Sequence, residues 1–343
     1  MSIQTPIGGE VPTAGGGPGR DGGAALFRAY LPVVITALLL TALPLFIADS
    51  RFYMTLAVNM LTFAGYAIAF NLIFGATNQL FLCLGALAGL SAYASAILGN
   101  ELGWSLFVTI PIGVTLAATL GGLFSWIAVR RRLDVIFIGI VTLAFTLMFT
   151  NMLQGGRQLT GGETGMLVDG GEGTFLRERI PYYFTILIVV IGFLTAYRWM
   201  ERSHFGWAFR ALKDDELAAE LAGVDVAKYR VVAGVIGSAM LGLVGALFAA
   251  HEGFMSPRTF DFGDVDVRTL IMLAFGGIGT LTGPIVGAAA VTVIDLFLRP
   301  LGQLRLFAYG ILLLGLFLGF RGGLVPAITG GIRRLVRRRD DPS

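Results

Sequence analysis

Long apolar stretches with at most one charge recur along this chain, and they constrain its fold more than any other feature. Residues 27–48, 53–74, 79–98, 104–129, 135–153, 182–200 and 231–250 each read as such a run. At 1.5 Å per residue, a helix of about twenty residues crosses a hydrocarbon layer roughly 30 Å thick. Three shorter stretches, 269–280, 284–298 and 306–320, bring the expected spans to ten. With 55% hydrophobic and 14% charged residues, a chain of 343 has too little polar surface to clothe a water-soluble globule, so lipid serves as its solvent. The expected fold is an all-α polytopic membrane protein of about 8–10 transmembrane helices, some of them broken or re-entrant.

The polar remainder sets the boundaries. Residues 1–25, rich in Gly, Pro and Thr, cannot bury a core and are expected as a disordered tail. The run that follows is too long for a signal-peptide core. Residues 26–321 form the membrane domain, and 322–343 form a basic tail. Two Lys/Arg precede or open the first span, three sit at Arg130, Arg131 and Arg132, six lie from Arg198 to Arg230 and six from Arg321 onward, which places 17 of 25 on one side. By the positive-inside rule that side is cytosolic, with both termini inside a bacterial inner membrane. The 48 glycines sit mostly within apolar runs, where they suit close helix packing. The single cysteine, Cys83, lies in such a run and excludes an internal disulfide. His204 and His251 are expected on opposite sides of the membrane, so no metal site is expected, and no cofactor. The basic residues flank apolar runs without interleaved aromatics, which argues against nucleic acid.

Two stretches interrupt the helical pattern. NLIFGATNQ at 71–79 sets Asn71, Gly75, Asn78 and Gln79 into apolar surroundings. FGGIGTLTGP at 275–284 brings Gly276, Gly277, Gly279, Thr280, Gly283 and Pro284, a composition that no regular helix holds. Residues 269–275 are too short to cross alone, so the region is a half-helix or a span completed by irregular backbone, and the chain turns back as a hairpin. Non-helical backbone at membrane depth is tolerated only inside protein or beside a water-filled cavity. These ten residues are therefore the candidates for a solute path, although glycines that only permit close packing would look the same. The breaks align loosely, Phe74-Gly75 with Phe275-Gly276 and Leu80 with Leu281, as a parallel internal repeat would, or as residues this common can by coincidence.

The long polar segment at 201–229 is patterned as structure. Phe205, Ala208, Phe209 and Leu212 give a short helix one apolar face. Asp214 is expected to cap a second helix that carries Asp215 and Glu216 in its first turn, Leu217 and Leu221 on one face, and Gly223 as terminator; Asp225 caps a third. A capped helical knob on a membrane protein suits a partner, and a well-ordered connecting loop is the plainer alternative. The later segment 251–267, with Asp261, Asp264 and Asp266, is expected as an acidic outer surface. Asp134 and Asp295 are then the acids left in or beside spans, both near span ends, which disfavours a proton-coupled carrier. A channel has little use for the knob.

The run from Phe205 through Gly206, Arg210, Ala211, Asp214, Asp215, Glu216, Ala219 and Gly223 resembles the ATPase-coupling segment of permeases of ATP-binding-cassette importers for branched-chain amino acids, specifically the LivM-like subunit. The resemblance covers roughly residues 50–325, and in the first break Asn78 stands where the family usually has glycine. It implies transport of branched-chain amino acids, not catalysis, with ATP hydrolysis on two separate cytosolic subunits, a second homologous permease and a periplasmic solute-binding protein. In agreement, the chain carries no phosphate-cradling GxxxxGK[ST] loop of its own. A permease for urea or short amides remains the near alternative, and an ion-coupled secondary transporter the more distant one.

Overall fold

The computed structural model describes residues 22–47, 49–168, 174–302 and 304–319, together with Gly323 and Val325. The expected N-terminal tail lies outside the described residues as far as position 21, and the basic tail does so from 326 onward. The first helix, α1 (Gly22–Ile47), starts within the stretch expected as tail. It is followed by α2 (Arg51–Phe70), α3 (Leu84–Leu102), α4 (Leu106–Arg130), α5 (Val135–Gly155) and the single turns α6 (Arg157–Thr160) and α7 (Thr174–Arg177). Then come α8 (Arg179–Arg202), α9 (His204–Asp214), α10 (Glu216–Leu221), α11 (Val226–Glu252), α12 (Arg268–Gly276), α13 (Gly283–Leu298) and α14 (Leu304–Gly319). The chain is an all-α, multi-pass membrane protein. Every expected span has its helix, and six segments among the described residues are long and apolar enough to cross a bilayer unaided: Tyr30–Ile47, Arg51–Gly75, Leu106–Arg130, Val135–Gly155, Arg179–Arg202 and Val226–Glu252.

The most enclosed segment is α2, extended by a π-helical turn over Asn71–Gly75; 78% of its apolar window is buried. Around it pack α8, α13, α11 and α12. By contrast α1 is peripheral and turns Leu38, Leu39, Leu45 and Phe46 outward, as a lipid-facing helix does. It is pinned to the bundle by the Tyr183 hydroxyl, which donates to the Leu40 carbonyl at 2.6 Å.

The glycines of α4 and α11 show why this sequence needs small residues. A methyl group at Gly121 would overlap the Ser238 side chain, and one at Gly234 would overlap that of Ser125. Gly121 and Ser125 on α4 thus interlock with Gly234 and Ser238 on α11. Without a hydrophobic driving force in lipid, such close approach is what holds two helices together.

Two expectations about boundaries are corrected. The span expected at 79–98 is helical only from Leu84, because 78–83 is non-helical and the first amides of α3 are taken by Asp266: Leu84 N–H donates to Oδ1 at 2.5 Å and Gly85 N–H to Oδ2 at 3.2 Å. Asp266 is accordingly no part of an acidic outer surface. It is fully buried in a π-helical turn, Phe262–Val267, that leads straight into α12, and only Asp264 of the three acids is well exposed. The preceding strand Phe254–Met255 pairs antiparallel with Met166–Leu167, tying the loop after α11 to the loop after α5.

Candidate functional site

The two broken segments meet. The Asn71 side chain reaches from the π-helical turn to the loop between α12 and α13, donating from Nδ2 to the Thr280 carbonyl at 2.9 Å and accepting the Gly279 N–H on Oδ1 at 2.7 Å. Gly75 is glycine because any side chain there would strike the Asn71 amide and the Gly279 nitrogen. Gly277 and Gly279 have φ of 119° and 76°, a region that L side chains rarely adopt. Thr280 then starts α13: its hydroxyl donates to the Gly277 carbonyl at 2.7 Å and accepts the Gly283 N–H at 3.1 Å. Pro284 occupies the first turn of α13, where its missing N–H costs nothing. Gly276 and Gly283 let the hairpin close, since a methyl on Gly276 would overlap the Gly283 carbonyl. For the region expected as a half-helix or as a span completed by irregular backbone, the structure shows a short helix, α12, that is entered from the π-helical turn and ends at Gly276.

Asn78 is exposed with φ of 56°, a left-handed conformation that asparagine tolerates better than other non-glycine residues. That conformation accounts for a position where glycine also fits. Gln79 turns away from the second break. It is fully buried, and its Nε2 donates to Thr77 Oγ1 at 2.8 Å and to the Arg230 carbonyl at 3.0 Å.

The polar segment sits directly on these breaks. Helix α9 begins at the Ser203 cap, whose side chain accepts the Phe205 N–H. It buries Gly206, Ala208, Phe209 and Leu212. Phe205 and Phe209 pack edge-on against Tyr229 of α11, with ring centroids 5.6 and 6.3 Å away. Gly206 has no room for a side chain against the Glu201 carbonyl. Between α9 and the breaks lies a cavity of about 200 Å³ lined by Gly75, Tyr197, Glu201, Arg210, Lys213 and Gly279, among others. The Lys213 ammonium reaches Gly279, where it is the first atom an added side chain would meet. The junction of the breaks therefore lies at the α9 end of the bundle, not halfway along it.

Asp214 does not cap the second helix. It is the last residue of α9, and Asp215, in extended conformation, accepts the Ala218 N–H on Oδ1 at 3.1 Å as the cap of α10. The cap comes one residue later than expected because the backbone leaves the helix at Asp215, not before it. Asp225 caps α11 by accepting the Lys228 N–H at 3.0 Å, and Gly223, with φ of 85°, closes α10. Ala219 is buried, Ala211 is partly buried, and Arg210 lies over the Trp207 ring at 4.9 Å. Trp207, Leu217 and Leu221 are 72%, 66% and 83% exposed, apolar surface on a polar segment.

Two groups carry weight here that sequence reasoning missed. Arg230 is 6% exposed and forms a two-pronged ion pair with Glu216, at 2.6 and 2.9 Å. Asp295 lies near the end of α13, as expected, and its side chain has partners that the sequence does not name. It is buried, pairs with Arg268 at 3.2 Å and accepts from the Tyr309 hydroxyl, while Arg268 lies over the Phe63 ring at 4.2 Å. Arg230 and Arg268 were visible as basic residues at span ends, but nothing in their spacing names their partners. At the far end of α11 His251 stacks on Tyr182, centroids 3.9 Å apart, and its Nδ1 donates to the Leu176 carbonyl at 2.7 Å.

Comparison with known proteins agrees with this architecture. The High-affinity branched-chain amino acid transport system permease protein LivM of Escherichia coli is 26% identical over 335 residues, covering 90% of this chain and 77% of that protein. The Fructose import permease protein FrcC of Rhizobium meliloti is 24% identical over 84% of this chain and 83% of its own. The Autoinducer 2 import system permease protein LsrC of Yersinia pestis is 26% identical over 87% of both. No solved structure matches. Residues 52–320 match the family described as the permease component of branched-chain amino acid transport systems, which spans every element of the site just described, and the chain belongs to that family.

Proposed function

We propose that this chain is one membrane-spanning subunit of an ATP-driven importer that takes up branched-chain amino acids handed over by a periplasmic binding protein. A second homologous permease and two cytosolic ATP-binding subunits complete it. The observation that carries this reading is the polar segment at 201–229: a chain with no phosphate-binding loop of its own holds two capped helices rigidly at one end of the bundle and exposes Trp207, Leu217 and Leu221 there. Exposed apolar side chains on a solvent-facing element are what a docking partner covers. This end is then cytosolic, as is the N-terminus, in a bacterial inner membrane. The solute leaves past the junction of Asn71, Gly75, Gly279 and Thr280, where Glu201, Arg210 and Lys213 line the adjoining cavity and offer both signs of charge to a zwitterion. Such contacts are weak enough to release what they pass on.

The amino-acid cargo is favoured by the family and by the relationship to LivM. The relationship to permeases named for fructose and autoinducer 2, at similar identity, supports a second reading in which the cargo is another small polar solute. Co-purification followed by uptake into proteoliposomes tests both. The chain should carry ATPase subunits with it, and labelled leucine should be taken up in preference to fructose or urea. Asp214→Arg and Gly223→Pro should leave the protein inserted but separate ATP hydrolysis from uptake. Normal uptake by both variants removes the docking assignment.

A further inference from the structure

We infer that the Glu216–Arg230 ion pair is the joint through which movement of the polar segment reaches the first broken segment, with Arg230 as a positioning residue. The inference rests on the importer reading above and adds to it a specific mechanical link.

Two links in series make the joint, a two-pronged ion pair and one hydrogen bond. Glu216 is the first residue of α10, 45% exposed at its side chain, and therefore moves with whatever seats on that helix. Its two carboxylate oxygens hold both terminal nitrogens of Arg230, whose side chain is 8% exposed. A planar guanidinium gripped at two points transmits orientation as well as position, which a single contact does not. The Arg230 carbonyl in turn accepts from Gln79, and Gln79 is continuous with Asn78 and the π-helical turn. No other side-chain ion pair among the described residues joins α10 to a membrane-spanning helix. On the other face, Lys213 touches Gly279 in the second break. The polar segment therefore reaches both breaks, one through a half-buried ion pair and one by direct contact, and only the first has a geometry that fixes direction.

The link predicts that the conformation of the first break follows nucleotide state only while the pair is intact. The test uses the complete importer carrying Asn78→Cys, an exposed site, against a background in which Cys83 is buried. The rate of maleimide labelling at that position is compared without nucleotide and with ATP and vanadate trapped on the ATPases. The parent should show a change of about fivefold, the low end of coupling between linked sites. Glu216→Gln, which keeps the size of the side chain and one acceptor oxygen for Arg230 but removes the charge, should abolish that change in the folded fraction that co-purifies with ATPase subunits. The exchange Glu216→Arg with Arg230→Glu should bring it back. A purely structural role for the pair would lower yield or melting temperature and leave the nucleotide response of the folded fraction intact. The inference is overturned if Glu216→Gln keeps the full labelling change, or if the exchanged pair does not restore it. Should no ATPase co-purify with the parent chain, the importer reading itself falls and the joint with it.

Discussion

Asn71 grips the backbone beside Thr280 with both ends of one amide, giving a hydrogen bond to its carbonyl and taking one from the N–H of the residue before it. The partners lie 209 positions apart in sequence, and this side chain joins the two breaks directly. Asn71→Leu keeps the volume and strands both backbone groups in a part-buried site. A stranded group costs about 1–3 kcal/mol, so the variant should lose roughly 2–6 kcal/mol and melt well below the parent in detergent, as followed by size exclusion after heating. An unchanged melting profile would show that the hairpin is held by something else.

Asn78 and Thr280 can be separated as contributors. Because Asn78 is left-handed, Asn78→Ala should cost about 1 kcal/mol and Asn78→Gly nothing or less, in thermal stability. If polar groups at the break serve the solute, Asn78→Gly should still slow uptake despite its stable fold. Thr280→Val is a poorer probe than the sequence suggests, since it also removes the hydroxyl that accepts the Gly283 N–H at the start of α13. Equal stability of Asn78→Ala and Asn78→Gly would contradict the backbone argument.

The α4–α11 seam predicts a compensating pair. Gly121→Ala should destabilise by about 1–3 kcal/mol through overpacking against Ser238. Combining it with Ser238→Gly should recover much of that loss, because the space the new methyl needs is the space the serine vacates. Additive losses in the double variant, read in the same melting assay, would place the strain elsewhere.

The Arg268–Asp295 pair should be sensitive to the loss of either partner. With Asp295 buried and bonded also to Tyr309, Asp295→Leu leaves a cation uncompensated near the Phe63 ring and should cost about 3–5 kcal/mol. The double change Arg268→Met with Asp295→Leu should be far milder than either alone. If Asp295→Leu expresses and melts like the parent, the pair is not a structural tie.

Much of the fold could be read from local sequence. The apolar runs marked the spans, and the Gly-rich FGGIGTLTGP stretch marked the hairpin because a helix has no way to absorb it. Asp225 and Gly223 announced their roles because caps act within three or four residues. What failed was long-range. Asp266 looked like one of three loop acids, and only its distant partners at Leu84 and Gly85, more than 180 positions back, turn it into the cap of a membrane helix. Its depth follows from the same placement: about eleven residues of helix, roughly 15 Å, separate it from Gly277 at the α9 end. The pairing of Arg230 with Glu216 was hidden for a related reason, since the chain folds back through α10 before the two charges meet. Asp214 and Asp215 were adjacent and chemically equivalent, so periodicity could not tell which of them leaves the helix.

Helix α11 runs without a break for 27 residues, which makes it a rod of about 40 Å. Near one end it carries Arg230, and near the other His251, stacked on Tyr182. A rod has no slack along its axis. A displacement of Arg230 along that axis is therefore also a displacement of the aromatic stack about 30 Å away, at the other end of the bundle, with no loop between them.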